Sequence, residues 1–170
     1  MKEQFNQTTD YDCGPAAVEN LLKRITGEWF DYEQLMRDLK TTEQGTDPEN
    51  IREYLDRMGL RVFADGNGSV ECLEWLMSRG MQILVGWQKD GTEQDAEKLL
   101  CGHYSLVDRI EGERIYFLEP DAWDIHDEPD GQAQIEKQDF YKRWRDMSTA
   151  GKYYERWFLG VKKIGCKMEE

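Results

Sequence analysis

The spacing of hydrophobic residues changes about halfway along the chain. In the first half, apolar residues recur three and four positions apart, which is the period of helices with one buried face. Together with capping residues, this spacing predicts four helices that begin near Cys13, Asp31, Pro48 and Ser69, with a short edge strand over 60–64 before the last of them. From residue 81 onward, apolar runs of strand length predict strands over 81–87, 103–110 and 114–119.

Short polar segments suggest how these elements connect. The turn over 111–113 is short and contains a glycine, so we expect strands 103–110 and 114–119 to pair as an antiparallel hairpin. The polar segment 89–98 is predicted to be a loop that flexes over a cleft, and 124–134 a second, acidic loop. Residues 138–147 are predicted to form a helix and 152–164 a closing strand. The expected fold class is α+β, with N-terminal helices packed on an antiparallel sheet in a single domain over 1–170.

Two residues at element starts carry the candidate chemistry. Cys13 stands at the predicted start of the first helix, where the helix dipole and free N–H groups favour the nucleophilic thiolate. His103 opens the strand 103–110. Taken singly, each residue type is more often structural than catalytic. Together they form the thiol and imidazole pair of cysteine peptidases, which meets in space rather than in sequence.

The order of motifs along the chain resembles a known family. Gln7, then Asp12-Cys13-Gly14-Pro15-Ala16, then Gly102-His103-Tyr104 and finally Glu119-Pro120 resemble the papain-like cysteine peptidases of the C39 type, which remove double-glycine leaders from bacteriocins. The resemblance covers nearly the whole chain and implies a papain-like cysteine peptidase fold without a cofactor or metal. It further implies that Gln7 helps to form the oxyanion hole, that Cys13 is the nucleophile, that His103 is the general base and that an acid after the next strand orients the histidine.

The position of the acid departs from the family pattern. The family usually has Asp-Pro at this point, whereas this chain has Glu119-Pro120-Asp121. Alignment by the proline selects Glu119, and alignment by residue type selects Asp121. We favour Glu119, because a longer carboxylate can still accept the histidine N–H and fix its tautomer. Trp123 is close enough to the acid to line the substrate cleft, and we assign Asp121 to the same substrate-binding region.

The charge of the chain restricts the classes of partner. The net charge is −13, so binding to nucleic acid phosphates is not expected, whereas a basic peptide would be attracted. No apolar run approaches the length of a membrane span, and the N-terminus lacks the apolar core of a signal peptide. Four cysteines without a paired motif fit reduced thiols. We therefore expect a cytoplasmic location.

The resemblance also indicates partners. It implies cleavage of a peptide or protein substrate after two small residues, usually glycines, at the end of a leader. In the exporters of the family the peptidase is fused to a membrane transporter with an ATPase, and this sequence contains neither. We therefore expect it to act alone or with a separate transporter partner.

Other interpretations of the same residues remain open. A transpeptidase or isopeptidase would use the same site and differ only in what attacks the thioester. A catalytically silent peptide-binding module and a plain interaction protein are the non-enzymatic alternatives. A zinc site built from Cys101 and His103 with the remaining cysteines is disfavoured, because the spacings match no standard zinc motif.

Overall fold

The computed structural model describes residues 4–100, 102–121 and 132–165. These residues form six helices and eight strands. The helices are α1 (Cys13–Thr26), α2 (Tyr32–Asp38), α3 (Pro48–Arg57), α4 (Val70–Ser78), α5 (Glu93–Glu97) and α6 (Lys137–Arg143). The strands are β1 (Leu60–Asp65), β2 (Gln82–Gln88), β3 (Gly102–Glu111), β4 (Arg114–Leu118), β5 (Gln132–Glu136), β6 (Arg145–Met147), β7 (Tyr153–Glu155) and β8 (Phe158–Lys163).

The helix starts agree with the sequence signals. Asp31 caps α2 by accepting the backbone N–H of Gln34, and Ser69 caps α4 by accepting that of Cys72. Proline occupies the first position of α3, where a missing N–H removes no helical hydrogen bond. Local chemistry therefore fixes where the first helices begin.

Six strands form one antiparallel sheet in the order β1-β8-β2-β3-β4-β5, and β6 and β7 form a separate two-stranded sheet. The β3–β4 hairpin pairs Leu106 with Leu118, so the end of β3 that carries His103 lies beside the end of β4 that leads into Glu119. The last strand, β8, lies inside the sheet between β1 and β2 rather than at an edge.

Apolar residues fill both faces of the six-stranded sheet. On one face, α1, α2 and α3 pack against side chains such as Leu84, Leu106 and Leu159. On the other face, α4 and α6 pack against Ile83, Val107 and Phe117. Adjacent strand residues thus contribute to opposite cores, as the alternation of side chains along a strand requires. Among the described residues, no helix has the length and apolar content needed to cross a membrane.

The fold class is the expected mixture of helices and antiparallel sheet, and β1 is an edge strand. Four local predictions need correction. The segment 89–98 contains α5, which begins with a capping box between Thr92 and Asp95. The predicted helix over 138–147 ends at Arg143 and continues as β6. The predicted strand over 152–164 is broken into β7 and β8 at Arg156, which has a positive φ of 46°. The end of the expected loop 124–134 belongs to β5, and residues 124–131 lie outside the described part.

Candidate active site

Cys13 is the first residue of α1, directly after the N-cap residue Asp12. The side chain of Asp12 is fully buried and accepts hydrogen bonds from the backbone N–H groups of Thr8 and Thr9 and from the hydroxyl of Tyr32. Burial alone would raise the pKa of Asp12, but these donors together hold it below its usual value. An ionised Asp12 thus fixes the segment that leads from Gln7 into the helix.

His103 lies at the start of β3 and connects the thiol to an acid. One ring nitrogen, Nε2, is hydrogen-bonded to Oε1 of Glu119. The imidazole also interacts electrostatically with the Cys13 side chain. Both His103 and Glu119 are buried. The imidazole of His103 therefore interacts both with the candidate nucleophile and with a carboxylate.

The charge state of His103 follows from two opposing effects. Burial by itself lowers the pKa of the imidazole, because the cation loses hydration. The Glu119 carboxylate and the Cys13 sulfur outweigh burial and raise the pKa of His103 well above its ordinary value. The site thus favours an imidazolium between two groups that can carry negative charge.

The second oxygen of the acid is also held. Ser105 donates its hydroxyl to Oε2 of Glu119 at 2.8 Å, and its Oγ accepts the indole N–H of Trp87 at 2.9 Å. Ser105 and His103 are two residues apart on β3, so their side chains lie on the same face of the strand. With both oxygens engaged, the carboxylate has one orientation toward the histidine.

Asp121 occupies a different place from Glu119. Its carboxylate lies 3.5 Å from Nζ of Lys89, and the ion pair is largely buried. The contact with His103 is made by Glu119, the residue selected by alignment on the proline.

Gln7 is buried close to the end of β4. Its backbone N–H donates to the carbonyl of Pro120 at 2.8 Å, which ties the N-terminal segment to the residue after Glu119. The side-chain amide donates to the carbonyl of Thr9 at 3.0 Å, while its Oε1 has no hydrogen-bond partner within the described part of the chain. An amide nitrogen carries two N–H groups, so one remains for another acceptor.

A pocket of about 200 Å³ opens beside Cys13. One wall is Thr46, whose carbonyl accepts the hydroxyl of Tyr104 at 2.8 Å. A Cβ on Gly14 would lie 2.9 Å from Cβ and Oγ1 of Thr46 and 3.3 Å from Cδ2 of Tyr104. The absence of a side chain at Gly14 therefore allows this wall to approach the helix start next to Cys13.

Several residues considered from the sequence fall elsewhere. Trp123 lies outside the described residues, as do Cys101 and Cys166. Cys72 is half-buried on α4, where it lines an apolar groove. Burial raises the pKa of its thiol. Within the part of the chain that the structure describes, no three histidine, cysteine or acidic side chains gather as metal ligands would.

Three contributors to the site did not emerge from the sequence. Ser105 could have been found as the one polar residue in the apolar run that follows His103, and Trp87 pairs directly with His103 across strands β2 and β3. Asp146, which lines the pocket beside Cys13, carries no local signal, because β6 reaches the site only through tertiary packing.

Comparison with solved structures defines the class of fold. The peptidase domain of Streptococcus ComA, a bifunctional ABC transporter involved in quorum sensing, superimposes with a TM-score of 0.68 at 18% identity, covering 96% of this chain and 99% of that chain. A double-glycine-motif protease from an AMS/PCAT transporter, solved with its leader peptide, gives a TM-score of 0.63 at 14% identity, covering 95% of this chain and 91% of that chain. A C39-like peptidase from Bacillus anthracis gives a TM-score of 0.68 at 11% identity, covering 95% of this chain and 94% of that chain. The fold is that of papain-like cysteine peptidase domains.

The sequence itself points to the same class. Residues 2–71 match the Peptidase C39 family, a segment that contains Gln7, Cys13 and the first three helices. No curated protein sequence matches the chain. The match and the fold together confirm the resemblance to the C39 peptidases.

Proposed function

We propose that the protein hydrolyses a peptide bond in a leader peptide, after a pair of small residues, with Cys13 as nucleophile. The observation that carries the proposal is the hydrogen bond between His103 and Glu119, together with the electrostatic interaction of the same imidazole with Cys13. A thiol, an imidazole and a carboxylate in this order are what nucleophilic acyl transfer requires.

The proposed reaction begins with proton transfer. His103 takes the proton of Cys13, and the thiolate attacks the carbonyl carbon of the scissile peptide bond. His103 then donates the proton to the leaving amine nitrogen as the C–N bond breaks, which leaves a thioester on Cys13. Water attacks the thioester, with His103 again taking a proton, and the acid product leaves. Glu119 holds the imidazole in one tautomer and stabilises its cationic form.

The oxyanion that forms in each half of the reaction needs donors. We assign this role to the side-chain amide of Gln7 and the backbone N–H of Cys13. Support comes from the burial of Gln7, from its tether to Pro120 and from the remaining N–H of its amide. The Cys13 N–H is among the free donors of the first helical turn, where the helix dipole also favours negative charge.

Specificity for small residues follows from the walls of the pocket. Thr46 and Tyr104, which line the pocket of Cys13, lie against Gly14, the residue that follows the nucleophile. Glycines before the cut fit such a cleft, since they place no Cβ against the walls. The solved neighbour with a bound leader peptide is a double-glycine-motif protease, which agrees with this substrate class. The protein would act alone or beside a separate transporter.

The test is cleavage of a synthetic leader peptide that contains Gly-Gly, followed by mass spectrometry. We expect cleavage after the second glycine, loss of cleavage with Cys13→Ala, and a much larger decrease for Gly→Val before the cut than after it. Equal tolerance of valine on both sides would contradict the leader-peptidase proposal. An added amine that captures most of the acyl group in place of water would instead indicate a transferase on the same site.

A further inference from the structure

Asp146 places a carboxylate in the same pocket as the candidate nucleophile. The residue lies at the centre of β6, and the pocket that it lines also contains Cys13, Gly102 and Tyr104. The reaction proposed above gives Asp146 no role. A charged group in the pocket of the candidate nucleophile therefore needs a separate explanation.

Within the described part of the chain, the hydrogen bonds of Asp146 are all on one oxygen. Oδ1 accepts the side-chain amide of Gln88 at 3.1 Å and the backbone N–H of Met147 at 2.8 Å. Among the described residues, no donor bonds to Oδ2 and no lysine or arginine pairs with the carboxylate. Asp146 is half-buried as a residue and lines the pocket.

The backbone of β3 is shaped to admit this carboxylate. Gly102 directly precedes His103, and a Cβ at Gly102 would overlap Oδ1 of Asp146. A glycine at this position therefore allows the acid to lie against the backbone next to the histidine. The two features, a bare backbone and an acid with one free oxygen, form a built subsite rather than a surface charge.

We infer that Asp146 binds a positively charged group of the substrate, a protonated amine or a guanidinium, close to the scissile bond. The inference rests on the proposed peptidase function and adds a second element of specificity to it. A carboxylate in a confined pocket loses hydration, and a cation delivered by the substrate restores the lost interaction. The net charge of −13 acts in the same direction, because it attracts basic peptides to the protein.

The titration of Asp146 supports this role. Burial raises the pKa of Asp146 to about 6, against the lowering effects of the Met147 N–H, the Gln88 amide and the charge of His103. Cys13 and Tyr104 line the same pocket as Asp146, His103 interacts with it electrostatically, and Tyr154 pairs with it across β6 and β7. The pKa values of His103 and both tyrosines are raised, so Asp146 is the group we expect to change charge between pH 7.5 and 5.

The first test needs no substrate. Cys13 is modified in separate reactions with the cationic reagent aminoethyl methanethiosulfonate and with the neutral methyl methanethiosulfonate. Peptide mapping gives the labelling rate at Cys13 for each reagent, and the measured quantity is the rate with the cationic reagent divided by the rate with the neutral one. We expect a ratio of about tenfold at pH 7.5, as one nearby carboxylate can produce, and about twofold in Asp146→Asn. The matched control Glu43→Gln removes one exposed charge from the loop next to the pocket and should leave the ratio unchanged.

The same ratio in the unchanged protein should fall toward that of Asp146→Asn as the pH falls from 7.5 to 5. The neutral reagent corrects for changes in the thiol itself. The inference would be overturned if the ratio were close to one at pH 7.5, or if Asp146→Asn left the ratio unchanged. Because labelling does not depend on turnover, failure of the leader-peptidase proposal would be seen separately, as absence of peptide cleavage.

The second test identifies the source of the cation. Peptides with Lys or its neutral analogue norleucine at each of the four positions around the cut are compared, with free and with acetylated N-termini. A preference for Lys at one position that disappears in Asp146→Asn assigns the subsite to a side chain. A preference for the free N-terminus assigns it to an α-amino group. No preference in any arm would contradict the inference.

Discussion

The charge of Asp146 should reduce the stability of the folded protein. Its pKa in the fold is about 6, whereas the ordinary value is 3.8. The folded state therefore binds a proton more tightly than the unfolded state between these two values. The resulting cost to stability is absent below about pH 3.8, grows as the pH rises, and is complete above about pH 6.

The size of this cost follows from the shift. Two pKa units correspond to about 3 kcal/mol, and access of water to a half-buried carboxylate reduces this to about 1–2 kcal/mol. Asp146→Asn removes the charge and keeps an oxygen for the Gln88 and Met147 donors. We expect it to stabilise the protein at pH 7.5 by this amount, or by roughly 3–6 °C in Tm for a chain of this size.

The assay is thermal or urea unfolding of Asp146→Asn, Glu43→Gln and the unchanged protein at pH 7.5 and at the lowest pH at which all three fold. The stabilisation should belong to Asp146→Asn alone and should shrink at the lower pH. A destabilised Asp146→Asn at pH 7.5, or a gain that persists unchanged at low pH, would show that the carboxylate is paired in solution and would refute the reasoning.

Three further predictions concern the candidate site. Glu119→Gln should lower turnover by about a hundredfold or more, and Asp121→Asn by much less, because Glu119 contacts His103 whereas Asp121 pairs with Lys89. Steady-state kinetics with one peptide checks this ranking, and the reverse ranking would move the role to Asp121. Gln7→Ala should lower turnover by about a hundredfold but leave iodoacetamide labelling of Cys13 nearly unchanged, and a parallel loss of labelling would make Gln7 structural. Gly14→Ala should lower kcat/KM, because the added Cβ lies 2.9 Å from Thr46. Circular dichroism checks that the variant stays folded, and unaltered kinetics would mean that the contact between Gly14 and Thr46 does not shape the cleft.

The parts of the fold that were predictable are those with local signals. The starts of α1 to α4 are marked by proline or capping residues, and the β3–β4 hairpin by a short turn. Strand order was not predictable in this way. Placement of β8 between β1 and β2 depends on contacts between distant segments. The five-residue helix α5 escaped detection because it is polar and too short to show a period.

The residues of the candidate site were likewise predictable only where a local sequence signal marks them. Cys13 and His103 were predicted as candidates because each stands at the start of an element, and Glu119 because alignment on Pro120 places it directly after the strand that became β4. Asp146 was missed because only the folded chain brings β6 to the sulfur. The assignment of Trp123 to the cleft stays a prediction, since that residue lies outside the described part of the chain.

The central claim is that Cys13 is the nucleophile and that His103 activates it. The most direct measurement is intact-mass spectrometry of the protein mixed rapidly with a Gly-Gly leader peptide and quenched in acid, followed by mapping of the modified residue. We expect a transient adduct with the mass of the N-terminal peptide fragment, attached to Cys13, absent in Cys13→Ala and formed far more slowly in His103→Ala. Two results would contradict the account. One is cleavage that proceeds without an adduct and continues in Cys13→Ala, and the other is an adduct on another cysteine.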